Sequence, residues 1–204
     1  PATFGGRDIL VAFDSLSRIN NLEASMNSEA QTLEATGTNH GLASSGQRQY
    51  LSFLLDDEEY GVDILRVQEL RGWTPVTRVP DMPDYLRGVL NLRGAIIPVV
   101  DLRCKFGLKE VEYGPTTVVI VVKVDSGKTE RVMGIIVDAV AETYTLDIET
   151  IQPAPRVGAA INARFITGLV AQNERMIVLL DIDELMNSDE LAIDFQSESG
   201  SEPH

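Results

Sequence analysis

Short runs of apolar and β-branched residues, separated by polar turns, dominate the chain from position 50 onward. The stretch YLSFLLDDEEYGVDIL predicts two strands around an acidic turn, and TTVVIVVKVDSGKTERVMGIIVDAV repeats this pattern with a longer turn. RMIVLLDI predicts a further strand. Turn residues recur about every eight to twelve positions, which is typical of small β-barrels or a sandwich rather than of βαβ units. A short C-terminal helix should follow, because Asp181 and Glu184 form a D-x-x-E capping pattern before LMNSDELAI.

The two ends of the chain have a different pattern. Residues 27–48 are small and polar, which predicts a linker. Residues 7–26 are either an amphipathic helix or part of a disordered tail, and the sequence leaves both readings open. The apolar positions that recur there at three- and four-residue steps are Ile9, Leu10, Phe13, Leu16, Ile19, Leu22 and Met26. We therefore expect an extension over 1–46, a folded region over 47–195 and a disordered tail over 196–204.

The folded region contains an internal repeat. A shift of 80 positions places YLRGVLNLRGAIIPVVDL over FITGLVAQNERMIVLLDI without a gap. A shift of 73 aligns an earlier block, in which Gly61 meets Gly134 and Glu69 meets Glu142. Residues 50–106 and 116–185 are thus predicted to be two copies of one unit with about five strands each. The predicted fold is mainly β, with two small five-stranded barrels packed together.

The repeat separates fold constraints from candidate binding residues. Gly88 and Gly168 agree between the copies, which indicates tight backbone geometry. Asp101 and Asp181 also agree, and each is predicted to cap the turn that follows its strand. Arg93 has an asparagine as its counterpart, so the barrel does not require an arginine there. This difference points to a binding role for Arg93, although drift between the copies would give the same pattern.

Composition and charge narrow the classes of function. The net charge is −14, and more than half of it lies in residues 1–46 and 186–204. This acidity opposes binding to nucleic acid or to an anionic membrane surface. No apolar run approaches the roughly eighteen residues that span a bilayer, so membrane insertion is not expected. Cys104 is the only cysteine and cannot form an internal disulfide, which favours a cytoplasmic protein.

Nothing in the sequence selects an enzyme. His40 and His204 are the only histidines, and both lie outside the predicted barrels, which excludes a histidine-based nucleophile or metal site in the core. SGKT at 126–129 lacks the first glycine of a phosphate-binding loop, because Val122 stands there. DDEE at 56–59 lacks the spacing of a calcium loop. We expect no catalytic activity, no metal and no cofactor.

Charged residues beside apolar ones form a candidate surface. Glu69, Arg71, Arg87 and Arg93 lie close in sequence to apolar positions that include Val67, Leu70 and Leu92. Arginine at the rim of an apolar patch is typical of protein interfaces. Solvated loop charges would account equally well for the same composition.

Several of these stretches closely resemble one family. ILRVQELRGWTPVTRVP, YLRGVLNLRGAIIPVVDLRCKFG, VMGIIVDAVAET and MIVLLDIDELMNSDELA are similar to the CheW-like domains of bacterial chemotaxis coupling proteins. The resemblance covers about residues 50–193. GVLNLRGAIIPVVDL is its most specific block, although the regulatory domain of the kinase CheA contains a looser form.

The resemblance implies two SH3-like barrels within a CheW-like domain at 47–195, and no enzymatic activity. It implies an adaptor that links the cytoplasmic tips of chemoreceptors to the regulatory domain of the histidine kinase CheA. Such a protein would be cytoplasmic and would be recruited to receptor arrays at the inner membrane. A CheW-like adaptor of another chemosensory pathway, such as surface motility, remains the alternative.

The resemblance also suggests partner-binding residues. Glu69 in VQEL and Arg93 in NLRG fall on positions linked to partner binding in the family, while the counterpart Glu142 leaves a structural role open for Glu69. Val118 and Val137 would border an apolar groove between the barrels that accepts the receptor tip. The full predicted set is Val67, Glu69, Leu70, Arg71, Arg87, Asn91, Arg93, Val118 and Val137.

Overall fold

A computed structural model describes residues 46–127, 129–154, 163–172 and 174–187. The possible helix at 7–26, almost all of the predicted linker and the predicted tail at 196–204 lie outside the described residues. Within the described part of the chain, the predicted mainly β fold of two packed five-stranded units is confirmed.

Ten strands and two short helices form the described fold. The strands are β1 Gln47–Leu55, β2 Glu58–Asp63, β3 Val67–Gly72, β4 Leu86–Leu92, β5 Ala95–Asp101, β6 Val118–Asp125, β7 Glu130–Val137, β8 Ala139–Asp147, β9 Ile166–Gln172 and β10 Arg175–Leu180. The helices are α1 Leu102–Lys105 and α2 Ile182–Asn187. Single 3-10 turns occur at Ile64–Arg66, Ile148–Thr150 and Ala163–Phe165.

The strands form two sheets with matching topologies. Sheet A has the order β8-β1-β2-β10-β9, and sheet B has the order β3-β6-β7-β5-β4. In each sheet one pair of neighbours is parallel, β2 with β10 in sheet A and β5 with β7 in sheet B. Replacing every strand of sheet A by its counterpart in the repeat yields the order of sheet B. The repeat is therefore a structural repeat as well as a sequence repeat.

The two sheets do not follow the contiguous division that the repeat suggested. Sheet A combines β1 and β2 with β8, β9 and β10, whereas sheet B combines β6 and β7 with β3, β4 and β5. The assignment of 50–106 to one barrel and 116–185 to the other is corrected accordingly. The chain crosses between the sheets at Ile64–Arg66 and at Asp138. Local sequence similarity identifies equivalent strands but does not determine which copy supplies their partners.

The main core lies between the sheets. Its buried side chains come from both sheets and include Phe53, Tyr60, Ile120 and Ile135. Smaller clusters lie apart from it, one built on sheet A and one on sheet B. Strands β6 and β7 are buried on both faces, which explains their nearly unbroken apolar sequence. Because the largest core is shared, the two barrels stabilise one another.

Equivalent backbone contacts close the two barrels. Thr77, which follows β3, pairs with Val89 of β4 through hydrogen bonds of 2.8 and 3.0 Å. Gln152, which follows β8, pairs in the same way with Leu169 of β9. A Cβ atom at Gly88 would lie 2.2 Å from the Thr77 carbonyl oxygen, and the φ of Gly88 is +145°. The predicted need for tight backbone geometry at this glycine is confirmed.

The two aspartates at the strand ends also act as predicted. Asp101 Oδ1 accepts hydrogen bonds from the backbone N–H groups of Arg103 and Cys104 at the start of α1. Asp181 Oδ1 accepts one from Glu184 N at 3.0 Å. The predicted capping role of both residues is confirmed. Helix α1 was not predicted, and it occupies the place in the first copy that α2 occupies in the second.

Candidate partner-binding surface

Strands β4 and β5 are joined by a two-residue turn that holds Arg93 in an unusual conformation. Leu92 pairs with Ala95, and the residues between them have φ values of +51° at Arg93 and +93° at Gly94. Two positive φ values are typical of the tight turns that suit antiparallel hairpins. The Oδ1 atom of Asn91 accepts a hydrogen bond from Gly94 N at 2.9 Å and stabilises this turn. Arginine is an unfavourable residue for a left-handed position, so its presence here is notable.

The side chain of Arg93 crosses to another strand. Its Nη2 atom lies 2.8 Å from Glu69 Oε2, and Glu69 belongs to β3. Arg71 Nε approaches the other carboxylate oxygen of Glu69 at 3.8 Å. Strands β3 and β4 are the opposite edges of sheet B, so the ion pair spans the seam at which the barrel closes. The side chain of Arg93 is nevertheless 85% exposed and remains available to a partner.

The hairpin that carries Arg93 also carries an exposed apolar residue. Ile96 of β5 is paired in register with Asn91, and 70% of its surface is exposed. Ile96 was not among the predicted residues, because it lies in an apolar run. Strand alternation gives no signal for its exposure, since Val99 on one face of β5 and Val100 on the face of Ile96 are both fully buried. We call Glu69, Arg71, Arg93 and Ile96 the seam surface.

Four apolar residues of the predicted site are buried. Val67, Leu70, Val118 and Val137 all belong to the core between the sheets. Val118 and Val137 are cross-strand partners on β6 and β7, and their side chains point into that core. They do not border an open groove in this structure, because the packing of the two sheets covers them.

Arg87 is engaged within the fold. Its Nη2 atom donates to Glu110 Oε1 at 2.7 Å, and its Nε donates to Asp101 Oδ2 at 3.1 Å. The hydroxyl of Tyr113 donates to the same Asp101 oxygen at 2.6 Å. The ring of Tyr113 also packs against Trp73, with a centroid distance of 4.2 Å. These contacts fasten the connection between β5 and β6 onto sheet B.

Burial and neighbouring charges shift the pKa values of Arg87, Tyr113 and Cys104. Burial lowers the pKa of Arg87, but the hydrogen bonds and charges of Glu110, Tyr113 and Asp101 outweigh burial and raise it above its usual value. Burial, followed by the hydrogen bond and charge of Asp101, raises the pKa of the Tyr113 hydroxyl. Burial likewise raises the pKa of the Cys104 thiol, which disfavours the reactive thiolate.

The described residues contain neither a cluster of metal-binding side chains nor a membrane-spanning helix. Within these residues, no group of three or more histidine, cysteine, aspartate or glutamate side chains could hold a metal ion. None of the helices among them is both long enough and apolar enough to cross a bilayer. The described fold is a module of two packed β-barrels, and the seam surface is an exposed charged and apolar patch on one of them.

Comparison with known proteins identifies the family. The model of the CheW-like domain matches residues 49–190. Over 146 residues the chain is 46% identical to the chemotaxis protein CheW of Klebsiella aerogenes, an alignment that covers 72% of this chain and 86% of that protein. The chemotaxis protein CheW of Rhizobium meliloti is 40% identical over 147 residues, with coverage of 72% and 92%.

A solved structure supports the same conclusion. The crystal structure of the scaffolding protein TtCheW from Thermoanaerobacter tengcongensis has a TM-score of 0.65 and 30% sequence identity, and the match covers 75% of this chain and 96% of that one. The chain belongs to the CheW-like domain family. It is a non-catalytic adaptor of chemotaxis that couples receptors to a histidine kinase. These relatives are chemotaxis and scaffolding proteins, so a pathway such as surface motility is not favoured.

Proposed function

We propose that this adaptor binds the cytoplasmic tip of chemoreceptors and the regulatory domain of the kinase CheA, and that the seam surface is one of its partner contacts. It would thereby be recruited to receptor arrays at the inner membrane. The observation that carries the proposal is the position of Arg93, an 85% exposed cation held at a positive φ beside an exposed isoleucine.

The fold itself gives little reason for an arginine at this turn. An exposed ion pair such as Arg93–Glu69 contributes only about 0–1 kcal/mol to stability. A left-handed backbone at a residue other than glycine opposes that gain by a comparable or larger amount. The second copy joins β9 and β10 by a turn of the same length between Gln172 and Arg175, with Asn173 in the place of Arg93 and Glu174, at a φ of +66°, in the place of Gly94. The turn can therefore be made without arginine.

The chemistry of the seam surface indicates the kind of partner group that would fit. Arg93 offers planar hydrogen-bond donors suited to a carboxylate, while Ile96 offers an apolar contact next to it. Charged and apolar groups so combined are typical of the residues that dominate binding energy at interfaces. A partner carboxylate would compete with Glu69 for Arg93, and Arg71 would remain to neutralise Glu69.

Size-exclusion chromatography of reconstituted complexes tests this proposal. The protein would be mixed with a CheA regulatory domain and a receptor tip, in the wild-type form and as Arg93→Glu. We expect Arg93→Glu to remain folded and to lose co-elution. In the complex, Arg93 would form a buried charged pair with a partner carboxylate, and removing one member of such a pair weakens binding by roughly 2–5 kcal/mol.

The matched control is Lys123→Glu. Lys123 also lies on sheet B, has 41% of its side chain exposed and pairs with a glutamate, Glu130, at 3.6 Å. We expect this variant to co-elute like the wild type. Loss of binding in both variants would indicate a general effect of added negative charge, and full co-elution of Arg93→Glu would remove the seam surface from the proposal.

A further inference from the structure

An arginine–aspartate pair holds each of the two crossovers between the sheets to a helix. The first crossover supplies the arginine of its pair, whereas the second supplies the aspartate. At the first crossover Arg66 binds Asp183 of α2. At the second crossover Asp138 binds Arg103 of α1. Arg103 and Asp183 are counterparts in the repeat, separated by 80 positions. The same interaction is therefore built twice, with cation and anion interchanged.

Each aspartate also holds the backbone of a hairpin. Asp138 Oδ2 accepts the backbone N–H of Asp56 at 2.8 Å, at the turn between β1 and β2. Asp183 Oδ1 accepts the backbone N–H of Asp125 at 2.7 Å, at the turn between β6 and β7. We call Arg103, Asp138 and Asp56 the clamp, and Arg66, Asp183 and Asp125 the latch. Each of them joins a crossover and a hairpin to a helix, which is α1 after β5 in the clamp and α2 after β10 in the latch.

The clamp and the latch differ in burial and in bonding. The side chain of Arg103 is 7% exposed and donates to carboxylates from two segments and to the carbonyl oxygen of Lys109. In the latch, the side chains of Arg66 and Asp183 are 35% and 25% exposed, against 60% and 26% for Asp56 and Asp138, so the difference in burial lies in the guanidinium. Asn187 of α2 adds two contacts to the latch, because its Nδ2 donates to Asp125 O at 2.6 Å and its Oδ1 accepts from Arg131 Nη2 at 2.6 Å. A buried, multiply bonded guanidinium is costly to separate from its partners, whereas a solvated pair is easily replaced by water and salt.

We propose that the latch opens and closes in the folded protein while the clamp stays closed. Opening breaks the contacts of Asp183 with Arg66, which lies just before β3, and with the Asp125 N–H, together with the exposed hydrogen bond from Asn187 to Asp125 O. Helix α2 keeps its place, because Leu185 and Met186 are fully buried in the core. Since β3 carries Glu69, opening of the latch would also loosen one edge of the seam surface. The resulting effect on partner binding rests on the proposed function.

The two backbone amides bound by the aspartates are matched probes of this motion. Native-state hydrogen exchange of the isolated protein reports each amide without any partner, so it tests the latch independently of the proposed function. After correction for intrinsic rates, we expect the Asp125 amide to exchange at least about tenfold faster than the Asp56 amide. Equal rates that follow global unfolding at both amides would overturn the proposal.

Arg66→Gln tests the ion pair itself, because it leaves Asp183 able to accept the Asp125 N–H. We expect exchange at Asp125 to rise roughly two- to fivefold, as suits a partly exposed pair, with no change at Asp56. Raising the salt concentration from about 0.05 to 0.5 M should have the same effect on the wild type and little effect on Arg66→Gln. Lys123→Gln, which removes an exposed ion pair from the same hairpin, should leave Asp125 unchanged. An equal rise with Lys123→Gln would reassign the opening to general fraying of the hairpin.

Discussion

Arg93 Nη2 lies 2.8 Å from Glu69 Oε2 and thereby connects the two edge strands of sheet B. The two residues are 24 positions apart, one on β3 and one in the turn after β4. The ion pair thus lies at the seam of a barrel, where strand closure brings together groups that the sheet order separates. Substitutions in this pair can therefore affect both the closure of the barrel and the binding of a partner.

A double-mutant cycle with Arg93→Ala and Glu69→Ala should show weak coupling in folding. We expect a coupling energy of about 0.2–1 kcal/mol in urea unfolding, because the Arg93 side chain is largely exposed to water. The same cycle measured on the affinity for the CheA regulatory domain should give a larger value if Arg93 contacts the partner. A folding coupling well above 1 kcal/mol would make the pair chiefly structural.

Gly88→Ala should be strongly destabilising. The added Cβ would lie 2.2 Å from the Thr77 carbonyl oxygen and would force apart the bridge that closes sheet B. We expect a loss of about 3 kcal/mol in the free energy of unfolding, at the upper end for single substitutions. Thermal denaturation followed by circular dichroism would measure it.

Gly72→Ala is the matched control for this prediction. It also lies in sheet B, and a Cβ there meets no atom within 4 Å. We expect its free energy of unfolding to stay within about 0.5 kcal/mol of the wild type. Similar losses for the two variants would contradict the steric explanation.

Stability should fall between pH 10 and pH 12, in part through Tyr144. Burial, followed by the charges of Glu59 and Glu142, raises the pKa of Tyr144 to about 12. The unfolded chain loses this proton near pH 10, so the neutral form favours the folded state below pH 10 and that contribution disappears as the pH rises through 12. Its size is on the order of 2–3 kcal/mol.

Urea unfolding of wild type and Tyr144→Phe across this range would measure the effect. We expect the wild type to lose stability faster than Tyr144→Phe, because phenylalanine has no proton to release. Parallel curves for the two proteins would show that Tyr144 does not contribute. Other buried tyrosines with raised pKa values, such as Tyr60, should leave a residual slope in both.

The two copies of the repeat should fold only together. Each sheet takes strands from both copies, and the main core lies between the sheets. Fragments separated between Val111 and Glu112 should each lack stable tertiary structure, and mixing them should restore a cooperative unfolding transition. Circular dichroism and urea unfolding of each fragment and of the mixture would test this. A cooperatively folded single fragment would contradict the exchange of strands.

The amino-acid sequence by itself determined the local features of this protein. Apolar alternation and turn residues identified the strands, since side chains alternate between the faces of a strand. The repeat identified Gly88 as a close backbone contact and Asp101 and Asp181 as caps, because each role depends on neighbours a few residues away or on backbone shape. Arg93 was identified as a residue that the turn does not require.

Only the tertiary structure decided which strands pair and which side chains reach the surface. The two copies have the same pattern, so local preferences cannot say that β3 joins β6 rather than a strand of its own copy. Strands buried on both faces lack alternation, which hid the burial of Val118 and Val137. The pairing of Arg93 with Glu69 and the exposure of Ile96 arise from barrel closure. Contacts between distant segments depend on packing energies that a linear pattern does not contain.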